Sequence, residues 1–376
     1  MARDERTAQN PWLLTLALAE QAVGLSDPNP RVGCVIVSAD GATLLGQGHT
    51  QAAGGPHAEV MALRDAQARG NDIRGATVYV TLEPCAHHGR TPPCCDALVA
   101  AGVGRVEIAV GDPNPLVNGQ GTARIAAAGI AIGHAPADIA QHARELNIGF
   151  FSRMQRGRPW LRMKIAASVD GRTALPNGAS QWITGAEARA DGHAWRKRAS
   201  AVLTGIGTVL ADDPSLDVRL VETALQPMRC AVDARLDTPP GARLFESASP
   251  VILFTASKDA ARRAALEARG AEIVDVPERD GRLDLEVVLA NLAARHVNEL
   301  HVEAGARLNG ALLATGQVDE LLLYLAPTLL GAGRDMAMLG PFDSLAQGLP
   351  FEFHEATKVG ADLRILARNK SVTSTA

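Results

Sequence analysis

The chain has 376 residues, 47% of them hydrophobic, and a formal net charge of −4. The slight acidic excess argues against a general nucleic-acid binder, which neutralises phosphates with Lys and Arg, and no apolar run reaches the roughly 18 residues of a membrane span. The charged residues 1–6 precede no signal-peptide core, and the five cysteines are an odd number. These features predict a cytoplasmic protein with reduced thiols.

Strand-like and helix-like segments alternate through the first 150 residues. The pattern predicts helices at 11–24, 57–70, 93–102, 120–128 and 137–148, and strands at 32–37, 43–48, 77–82, 105–110 and 130–133. This alternation indicates an α/β sandwich around a central sheet. Residues 150–159 hold three Arg, a Gly and a Pro and break the pattern. We therefore place one domain at 1–150, a linker at 151–159 and a second domain at 160–376.

The second half begins another α/β series. We predict strands at 160–167, 201–204, 228–232, 251–254, 272–276, 300–303 and 320–326, and helices at 186–198, 258–269, 284–295 and 305–315. No G-x-G-x-x-G follows its first strand, so the standard dinucleotide fingerprint is absent. The strongest local signal is an apolar strand that runs into Gly305 at a helix start, a place suited to phosphate. Many such turns use Gly for geometry alone, so the residues favour only a nucleotide-binding or regulatory domain.

His57, Cys85 and Cys94 are the residue types that bind zinc. A catalytic zinc site has three protein ligands and an open position for water. Zinc deaminases of nucleobases follow the pattern H-x-E and then P-C-x-x-C, with the Glu as general acid/base. Glu59 fits that role, but the two cysteines here stand nine positions apart, with eight residues between them. The motif predicts a zinc-dependent hydrolase with Glu59 as the proton carrier.

A structural zinc site would need a fourth protein ligand. His87, His88 and Cys95 are close in sequence and could supply it. Cys95 adjoins Cys94 on one predicted helix, so their side chains diverge by about 100° and only one can easily reach the metal. Each residue alone could also be a buried cysteine or a capping histidine. Their combination at this spacing favours catalytic zinc.

Three segments around this motif resemble the bifunctional deaminase–reductases of riboflavin biosynthesis. They are Asp-Pro-Asn-Pro-Arg-Val-Gly-Cys-Val at 27–35, Pro-His-Ala-Glu at 56–59 and Thr-Leu-Glu-Pro-Cys-Ala-His-His-Gly-Arg-Thr-Pro-Pro-Cys at 81–94. The resemblance implies a cytidine-deaminase-like α/β/α sandwich with zinc on His57, Cys85 and Cys94. Its substrate would be 2,5-diamino-6-ribosylamino-4(3H)-pyrimidinone 5′-phosphate. Residues 112–115 and 118–121 also fit the family, although alone they predict only turns. Asn29 could bind the pyrimidine or cap a turn.

The resemblance extends over the second half, through residues 164–172, 180–184, 211–216 and the turn at 303–305. It implies a dihydrofolate-reductase-like domain that uses NADPH to reduce the ribosyl group to ribityl. By position, the cofactor would be held by Ala166, Trp182, Thr208, Asp212, Ala234, Gly305, Ala306, Arg307, Leu308, Asn309, Gly310 and Ala311. The substrate would be held by Ser180, Arg196, Leu216, Arg219 and Glu303. Ala166 stands where relatives can have Gly.

Several of these positions have a second interpretation. Arg219, at a strand-like end, is the better phosphate ligand, because Arg offers a bidentate fork. Arg196 stands among other basic residues and could belong to a solvated helix face. Asp212 could move a proton or bind the nicotinamide ribose. Lys164 could be an active-site cation or a surface lysine.

The leading hypothesis is therefore a two-step enzyme that uses Zn²⁺ and NADPH. A first alternative is a single-activity base or tRNA deaminase with a C-terminal regulatory domain, and a second is a zinc-stabilised binding protein. The expected partner is a small pyrimidine ribosyl phosphate, with no nucleic acid and no membrane. We also expect a homo-oligomer, a dimer or tetramer, for which the apolar helix at 12–24 could form an interface.

Overall fold

The computed structural model describes residues 10–86, 92–115 and 117–370. The chain divides into two compact units, Met1–Gly157 and Arg158–Ala376. This division falls inside the segment that the sequence predicted as a linker. Within the described residues, no helix is long and apolar enough to cross a membrane.

The first unit is a five-stranded sheet with helices packed on it. Its elements are α1 Pro11–Gln21, β1 Gly33–Val37, β2 Leu44–His49, α2 Ala58–Ala68, β3 Thr77–Val80, α3 Cys94–Ala100, β4 Arg105–Ile108, α4 Gln120–Ala127, β5 Ala131–His134, α5 Ala137–Leu146 and α6 Ile148–Arg156. The strand order is β2-β1-β3-β4-β5, with β1 antiparallel to both neighbours and β3, β4 and β5 parallel. Apart from α6, each element was predicted, with bounds that differ by a few residues.

Small residues allow α2 to lie close against β2. Ala58 and Ala62 are fully buried on the helix side. On the strand side, a Cβ added at Gly46 would lie 2.4 Å from the carbonyl oxygen of Ala62, and one at Gly48 would lie 2.6 Å from its nitrogen. Such distances exclude any side chain at these glycines. The close approach fixes the N-terminus of α2, which carries His57 and Glu59.

Helix α6 extends into the segment that the sequence predicted as a linker, as far as Arg156. The Arg and Gly residues there gave no sign of a helix, but Phe150 and Phe151 are each only 7% exposed. The guanidinium of Arg144 lies 5.1 Å from the ring centre of Phe151. Burial of two aromatic side chains stabilises the helix, which ends at Gly157 in the left-handed conformation.

The helix predicted at 12–24 does not present a broad apolar face. Trp12, Leu16 and Leu18 are buried within the first unit, and the Trp12 ring meets Tyr79 edge-on at 5.0 Å. Leu13, at 37% exposure, is the most exposed large apolar residue of α1, and Leu14 is half-buried. Most of the apolar side chains of α1 therefore pack within the first unit, and the suggested interface there stays a prediction.

The second unit is built on a nine-stranded sheet. Its helices are α7 Ala186–Arg198, α8 Ile206–Asp212, α9 Ala260–Glu267, α10 Leu285–Ala294 and α11 Ala306–Ala314. Its strands are β6 Trp160–Ser168, β7 Arg172–Ala174, β8 Ala201–Gly205, β9 Met228–Val232, β10 Val251–Thr255, β11 Ala271–Asp275, β12 Glu278–Arg279, β13 Arg282–Leu283, β14 Glu299–Val302, β15 Glu320–Ala326, β16 Arg334–Asp335, β17 Phe351–Val359 and β18 Asp362–Asn369.

The order of the large sheet is β11-β10-β9-β8-β14-β6-β15-β18-β17. The strands from β11 to β15 in this order are parallel, and β18 and β17 complete the sheet as antiparallel strands. The carboxyl ends of β6, β8, β9 and β14 therefore lie along one edge. Ligands of open α/β sheets bind at such an edge.

The sequence did not predict α8 or the C-terminal hairpin of β17 and β18. Helix α8 has only seven residues and begins at Ile206, directly after β8 ends at Gly205. Strand β17 is largely exposed on both faces, so it lacks the alternating apolar pattern of a half-buried strand. Short or exposed elements leave little hydrophobic periodicity in the sequence.

Candidate functional sites

His57, Cys85 and Cys94 come together in the first unit. His57 Nδ1 lies 3.4 Å from Cys94 Sγ and 3.6 Å from Cys85 Sγ, and the ligand atoms of the three residues all lie within 4.8 Å of one another. In tetrahedral zinc coordination, with Zn–S of about 2.3 Å and Zn–N of about 2.0–2.1 Å, nitrogen and sulfur are roughly 3.5 Å apart. The donor set and its spacing therefore fit a zinc ion.

Three separate segments position these donors. His57 is the N-cap of α2, Cys94 is the first residue of α3, and Cys85 lies on the loop after β3. The backbone N–H of Cys94 donates a hydrogen bond to Cys85 Sγ at 3.3 Å. This donor and the positive ends of two helix dipoles stabilise negative charge on sulfur.

The Cys85 and Cys94 thiols shift each other's pKa in the metal-free protein. A hydrogen bond from the Cys94 thiol, together with His57, lowers the pKa of Cys85 to about 4. The same sharing of a proton raises the pKa of Cys94. A coordinating thiol loses its proton outright, so zinc would hold both sulfurs as thiolates.

Glu59 lies in the first turn of α2 and is only 4% exposed. Burial and the nearby Cys85 sulfur raise the pKa of its carboxyl to about 7. His57 and Cys94 partly oppose this rise in pKa, because both lie close to the carboxyl. A carboxyl poised near neutrality can both accept and release a proton.

The side chain of Cys95 points away from this centre. It is fully buried, but its sulfur lies 3.6 Å from Asp96 Oδ1 and is not among the clustered ligand atoms. The other two candidates for a fourth ligand, His87 and His88, lie outside the described residues. Among the described residues the group of potential ligands has three members, as the sequence predicted.

The loop that carries Asn29 is an ordered turn. The Asn29 N–H donates to the Ser26 carbonyl at 2.9 Å, and the Ser26 hydroxyl donates to the Asn29 carbonyl at 3.2 Å. Nearby, the N–H of Arg31 donates to the side chain of Asn147 at 2.7 Å. These bonds explain the turn. A role for the Asn29 side chain toward a pyrimidine stays a prediction.

In the second unit, α11 begins where the sequence predicted, with Gly305 as its N-cap. A Cβ added at Gly305 would lie 3.9 Å from Thr208 Oγ1. Thr208 and Gly305 therefore meet at the carboxyl edge of β8 and β14. The unpaired first-turn N–H groups of α11 make this edge suitable for a phosphate or pyrophosphate.

The predicted cofactor segment at 305–311 divides into two parts. Gly305 and Arg307 are exposed, and Ala306 and Leu308 are half-buried. Asn309 is 1% exposed, and its amide donates to the carbonyls of Ala304 and Met336 at 3.1 and 2.9 Å.

Farther along the same helix, a Cβ at Gly310 would lie 2.0 Å from the Met338 carbonyl oxygen, and Ala311 packs against the apolar core. The side chains of Asn309 and Ala311, and the missing side chain of Gly310, thus serve packing. We expect cofactor contacts from the helix N-terminus at 305–308 instead.

The other predicted cofactor residues lie on separate elements of the second unit. Ala166 is on β6, and Asp212 is the exposed last residue of α8. Ala234 follows β9, and its carbonyl accepts the Thr255 hydroxyl at 3.1 Å. Trp182 is 65% exposed. The structure thus leaves Asp212 and the Trp182 ring accessible to a ligand.

Arg196 is not part of a solvated helix face. Its guanidinium donates to both carboxylate oxygens of Glu303, at 2.5 and 2.9 Å, and to the Asp217 carbonyl at 2.8 Å. Burial raises the pKa of Glu303, but Arg196 and Lys164 outweigh it and hold the pKa well below its usual range. Glu303 is therefore a carboxylate that a substrate hydroxyl could meet as an acceptor.

Lys164 is half-buried beside this ion pair, with Nζ 5.9 Å from the ring centre of Tyr324. Burial lowers the pKa of Lys164, Glu303 raises it, and the net direction is downward. The position of Lys164 favours the active-site cation over the surface lysine.

The predicted substrate residues differ in what they offer. Arg219 has a side chain 46% exposed, and it pairs with Asp217 Oδ1 at 2.8 Å. Ser180 is half-buried. Leu216 is only 1% exposed and packs in an apolar cluster, so its side chain cannot meet a substrate. A contact from Leu216 would have to come from its backbone.

The sequence missed two histidines in this cluster. His193 Nδ1 accepts the N–H of Arg219 at 3.2 Å, and burial together with Arg196 and Arg219 lowers the pKa of His193 to about 4. His301 is fully buried, with Nε2 3.2 Å from Glu303 Oε1. Their spacing in the sequence could have indicated that they lie near the predicted substrate residues. His193 precedes Arg196 by three positions on one helix, and His301 precedes Glu303 by two positions at the end of a strand.

Comparison with known proteins gives a family match for each of the two units. Residues 7–110 match the family model described as the cytidine and deoxycytidylate deaminase zinc-binding region. Residues 159–365 match the RibD C-terminal domain. The Escherichia coli riboflavin biosynthesis protein RibD is 44% identical over 361 residues, covering 93% of this chain and 95% of that protein. The Aquifex aeolicus protein of the same name is 37% identical over 95% and 97%.

Solved structures agree over the same length. Acinetobacter baumannii RibD, form 1, matches with a TM-score of 0.86 and 39% identity, over 97% of this chain and 99% of that one. The Thermotoga maritima diaminohydroxyphosphoribosylaminopyrimidine deaminase/5-amino-6-(5-phosphoribosylamino)uracil reductase matches with a TM-score of 0.83 and 30% identity, over 97% and 99%.

The adjacent cysteines give a matched test of the metal site. Cys94→Ala should lose most bound zinc, because two ligands remain. Cys95→Ala should keep one zinc per chain, because the Cys95 sulfur points elsewhere. Metal content after desalting, measured by mass spectrometry, checks both. Loss of zinc from Cys95→Ala with retention in Cys94→Ala would contradict the assignment.

Proposed function

The chain belongs to the RibD family of bifunctional deaminase–reductases in riboflavin biosynthesis, and we propose that its two units hold the two active sites at the residues described above. The predicted cytidine-deaminase-like and dihydrofolate-reductase-like folds are confirmed. The cofactors are zinc and NADPH. The C-terminal match over residues 159–365 overturns the alternative of a single-activity deaminase with a regulatory domain.

The observation that carries the deaminase assignment is the three-donor group beside a buried Glu59. His57, Cys85 and Cys94 hold zinc, which when bound supplies Lewis acidity that makes water nucleophilic at neutral pH. Glu59 takes a proton from the attacking water and delivers it to the leaving amino group. Water adds to C2 of 2,5-diamino-6-ribosylamino-4(3H)-pyrimidinone 5′-phosphate, and the amino group on C2 leaves as ammonia.

The reductase assignment rests on the edge where Thr208 and Gly305 meet near Glu303. NADPH, when bound, would supply the hydride that, together with a proton from solvent, reduces the ribosyl group of 5-amino-6-(5-phosphoribosylamino)uracil to ribityl. The helix N-terminus at Gly305 would hold the pyrophosphate. Glu303, held ionised by Arg196 and Lys164, accepts hydrogen bonds from sugar hydroxyls. Arg219, which is more exposed than Arg196, meets the substrate phosphate.

We further propose that the enzyme works in a reducing compartment, the cytoplasm. All five cysteines are free thiols in the structure, and two of them are needed as metal ligands. Oxidation of Cys85 or Cys94 would remove donors from the zinc site.

We also propose that the protein is a homo-oligomer that associates through its C-terminal region. A set of large apolar side chains is exposed there, namely Leu329, Met338, Leu339, Phe342, Leu345, Leu349 and Phe353. Phe353, at 75% exposure, lies on β17, the edge strand of the large sheet. An apolar patch beside a free strand edge favours association with a second copy.

Substitution of Glu59 separates the two activities. Glu59→Gln should keep zinc, lower the deamination rate by about 10²–10⁴-fold because proton transfer is lost, and leave the reductase rate unchanged. Ammonia release and NADPH oxidation, each with its own substrate, measure the two steps. Wild-type deamination by this variant would remove Glu59 from its role.

Substitution of Arg219 tests the phosphate contact. Arg219→Ala should raise the reductase KM about 10- to 100-fold, since a charged hydrogen bond contributes about 1.5–3 kcal/mol, with little change in kcat. The dephosphorylated substrate is the control, because both proteins should bind it equally. An equal loss with both substrates would show that Arg219 does not contact the phosphate.

The oligomer is tested by mutating two surfaces in parallel. Phe353→Asp should convert the assembly to monomers, whereas Leu13→Asp on α1 should leave it intact. Light scattering after gel filtration gives the mass of each. A monomeric wild type, or dissociation by Leu13→Asp alone, contradicts the proposed surface.

A further inference from the structure

Glu83 is a buried carboxylate two residues before Cys85, and the mechanism above gives it no role. It is 4% exposed. Its Oε1 accepts the backbone N–H and the hydroxyl of Thr122, at 3.0 and 3.1 Å. Its Oε2 accepts the N–H groups of Gly119 and Asp112, at 2.9 and 3.3 Å. Four donors converge on one carboxylate, which is about its full acceptor capacity.

These donors belong to a segment distant in sequence from the zinc ligands. Residues 112–122 follow β4 and lead into α4, and they include both stretches that the sequence alone predicted only as turns. The backbones also touch. The Glu83 N–H donates to the Val110 carbonyl at 2.9 Å, and a Cβ added at Gly121 would lie 1.9 Å from the Pro84 carbonyl oxygen. Side-chain and backbone contacts together hold Glu83 and Pro84, the two residues before Cys85.

Glu83 does not take part in the ligand group itself. Its oxygens face Thr122, Gly119 and Asp112, and the clustered ligand atoms are those of His57, Cys85 and Cys94. Any influence of Glu83 on the metal must therefore pass through the position of Cys85.

We propose that Glu83 is a positioning residue for the zinc centre. By anchoring its loop to residues 112–122, it sets Cys85 Sγ at the distance from His57 and Cys94 that zinc requires. This inference rests on the proposed zinc-dependent function. Outer-shell partners of metal ligands typically change metal affinity by about 10–100-fold when mutated.

Glu83→Gln keeps the shape of the side chain but replaces one acceptor oxygen by a donor. The amide NH₂ replaces an oxygen that accepts two hydrogen bonds, so a donor would face donors from Thr122 or Gly119. The loop must then shift to relieve this contact. Thr122→Val is milder, because it removes the hydroxyl and keeps the backbone bond, and Thr122→Ser restores a hydroxyl.

The experiment measures zinc affinity by chelator competition and the d–d spectrum of the cobalt(II)-substituted protein. For Glu83→Gln we expect a zinc Kd about 10–100-fold above wild type and an altered cobalt spectrum. Thr122→Val should shift both in the same direction by less, and Thr122→Ser should return them to wild type. The control is Glu107→Gln on β4, a carboxylate paired with Arg105 in the same unit, which should leave both unchanged.

The outcomes separate this inference from the function on which it rests. If wild type binds no zinc, the proposed function fails. If wild type binds zinc and the Glu83 and Thr122 variants match its affinity and cobalt spectrum, the positioning role is overturned. Lower thermal stability with an unchanged spectrum also overturns it, because the role would be structural only. If Glu83→Gln does not fold, the Thr122 pair decides.

Discussion

The constraint on which the deaminase unit depends is that three donors from separate segments must meet within 4.8 Å. Small residues on β2 and α2 bring His57 onto the sheet, and α3 delivers Cys94 with its N–H directed at Cys85. The Cys85 loop is held in turn by Glu83. The backbone thus holds the donors close together without a metal, which lowers the conformational entropy lost when zinc binds. Because the same helix turn carries His57 and Glu59, the packing of α2 on β2 positions the proposed zinc ligand and the proposed proton carrier together.

In the reductase unit, the main constraint is a buried charge at the edge of a sheet. A buried carboxylate is costly unless it is paired and hydrogen-bonded. Glu303 meets that condition through Arg196 and Lys164, which hold its pKa well below the usual range. The parallel strands bring Thr208 and Gly305 to the same edge, although the two are far apart in sequence. Neighbouring strand ends thereby supply the helix terminus proposed to bind phosphate and the carboxylate proposed to bind sugar hydroxyls.

Most of the fold could be predicted because its core elements are apolar and periodic. Regular segments such as Met228–Val232 and Ala186–Arg198 were predicted with their observed bounds. Helix α6 was missed because Arg and Gly obscured two buried Phe residues, and β17 was missed because an exposed strand has no periodic pattern. The zinc donors were identifiable because metal chemistry restricts residue type and spacing. The Arg196–Glu303 pair and the four donors on Glu83 were not, because they join residues more than 25 positions apart and no local pattern encodes them.

X-ray absorption spectroscopy of the zinc-loaded wild-type protein tests the central claim most directly. Three protein ligands with an open position predict two sulfur neighbours at about 2.3 Å and one imidazole nitrogen at about 2.0–2.1 Å, with one further light atom from solvent. The solvent atom should be replaced when a transition-state analogue of deamination binds. A shell of three sulfurs, or of two sulfurs and two imidazoles, would mean a closed structural site and would contradict the account.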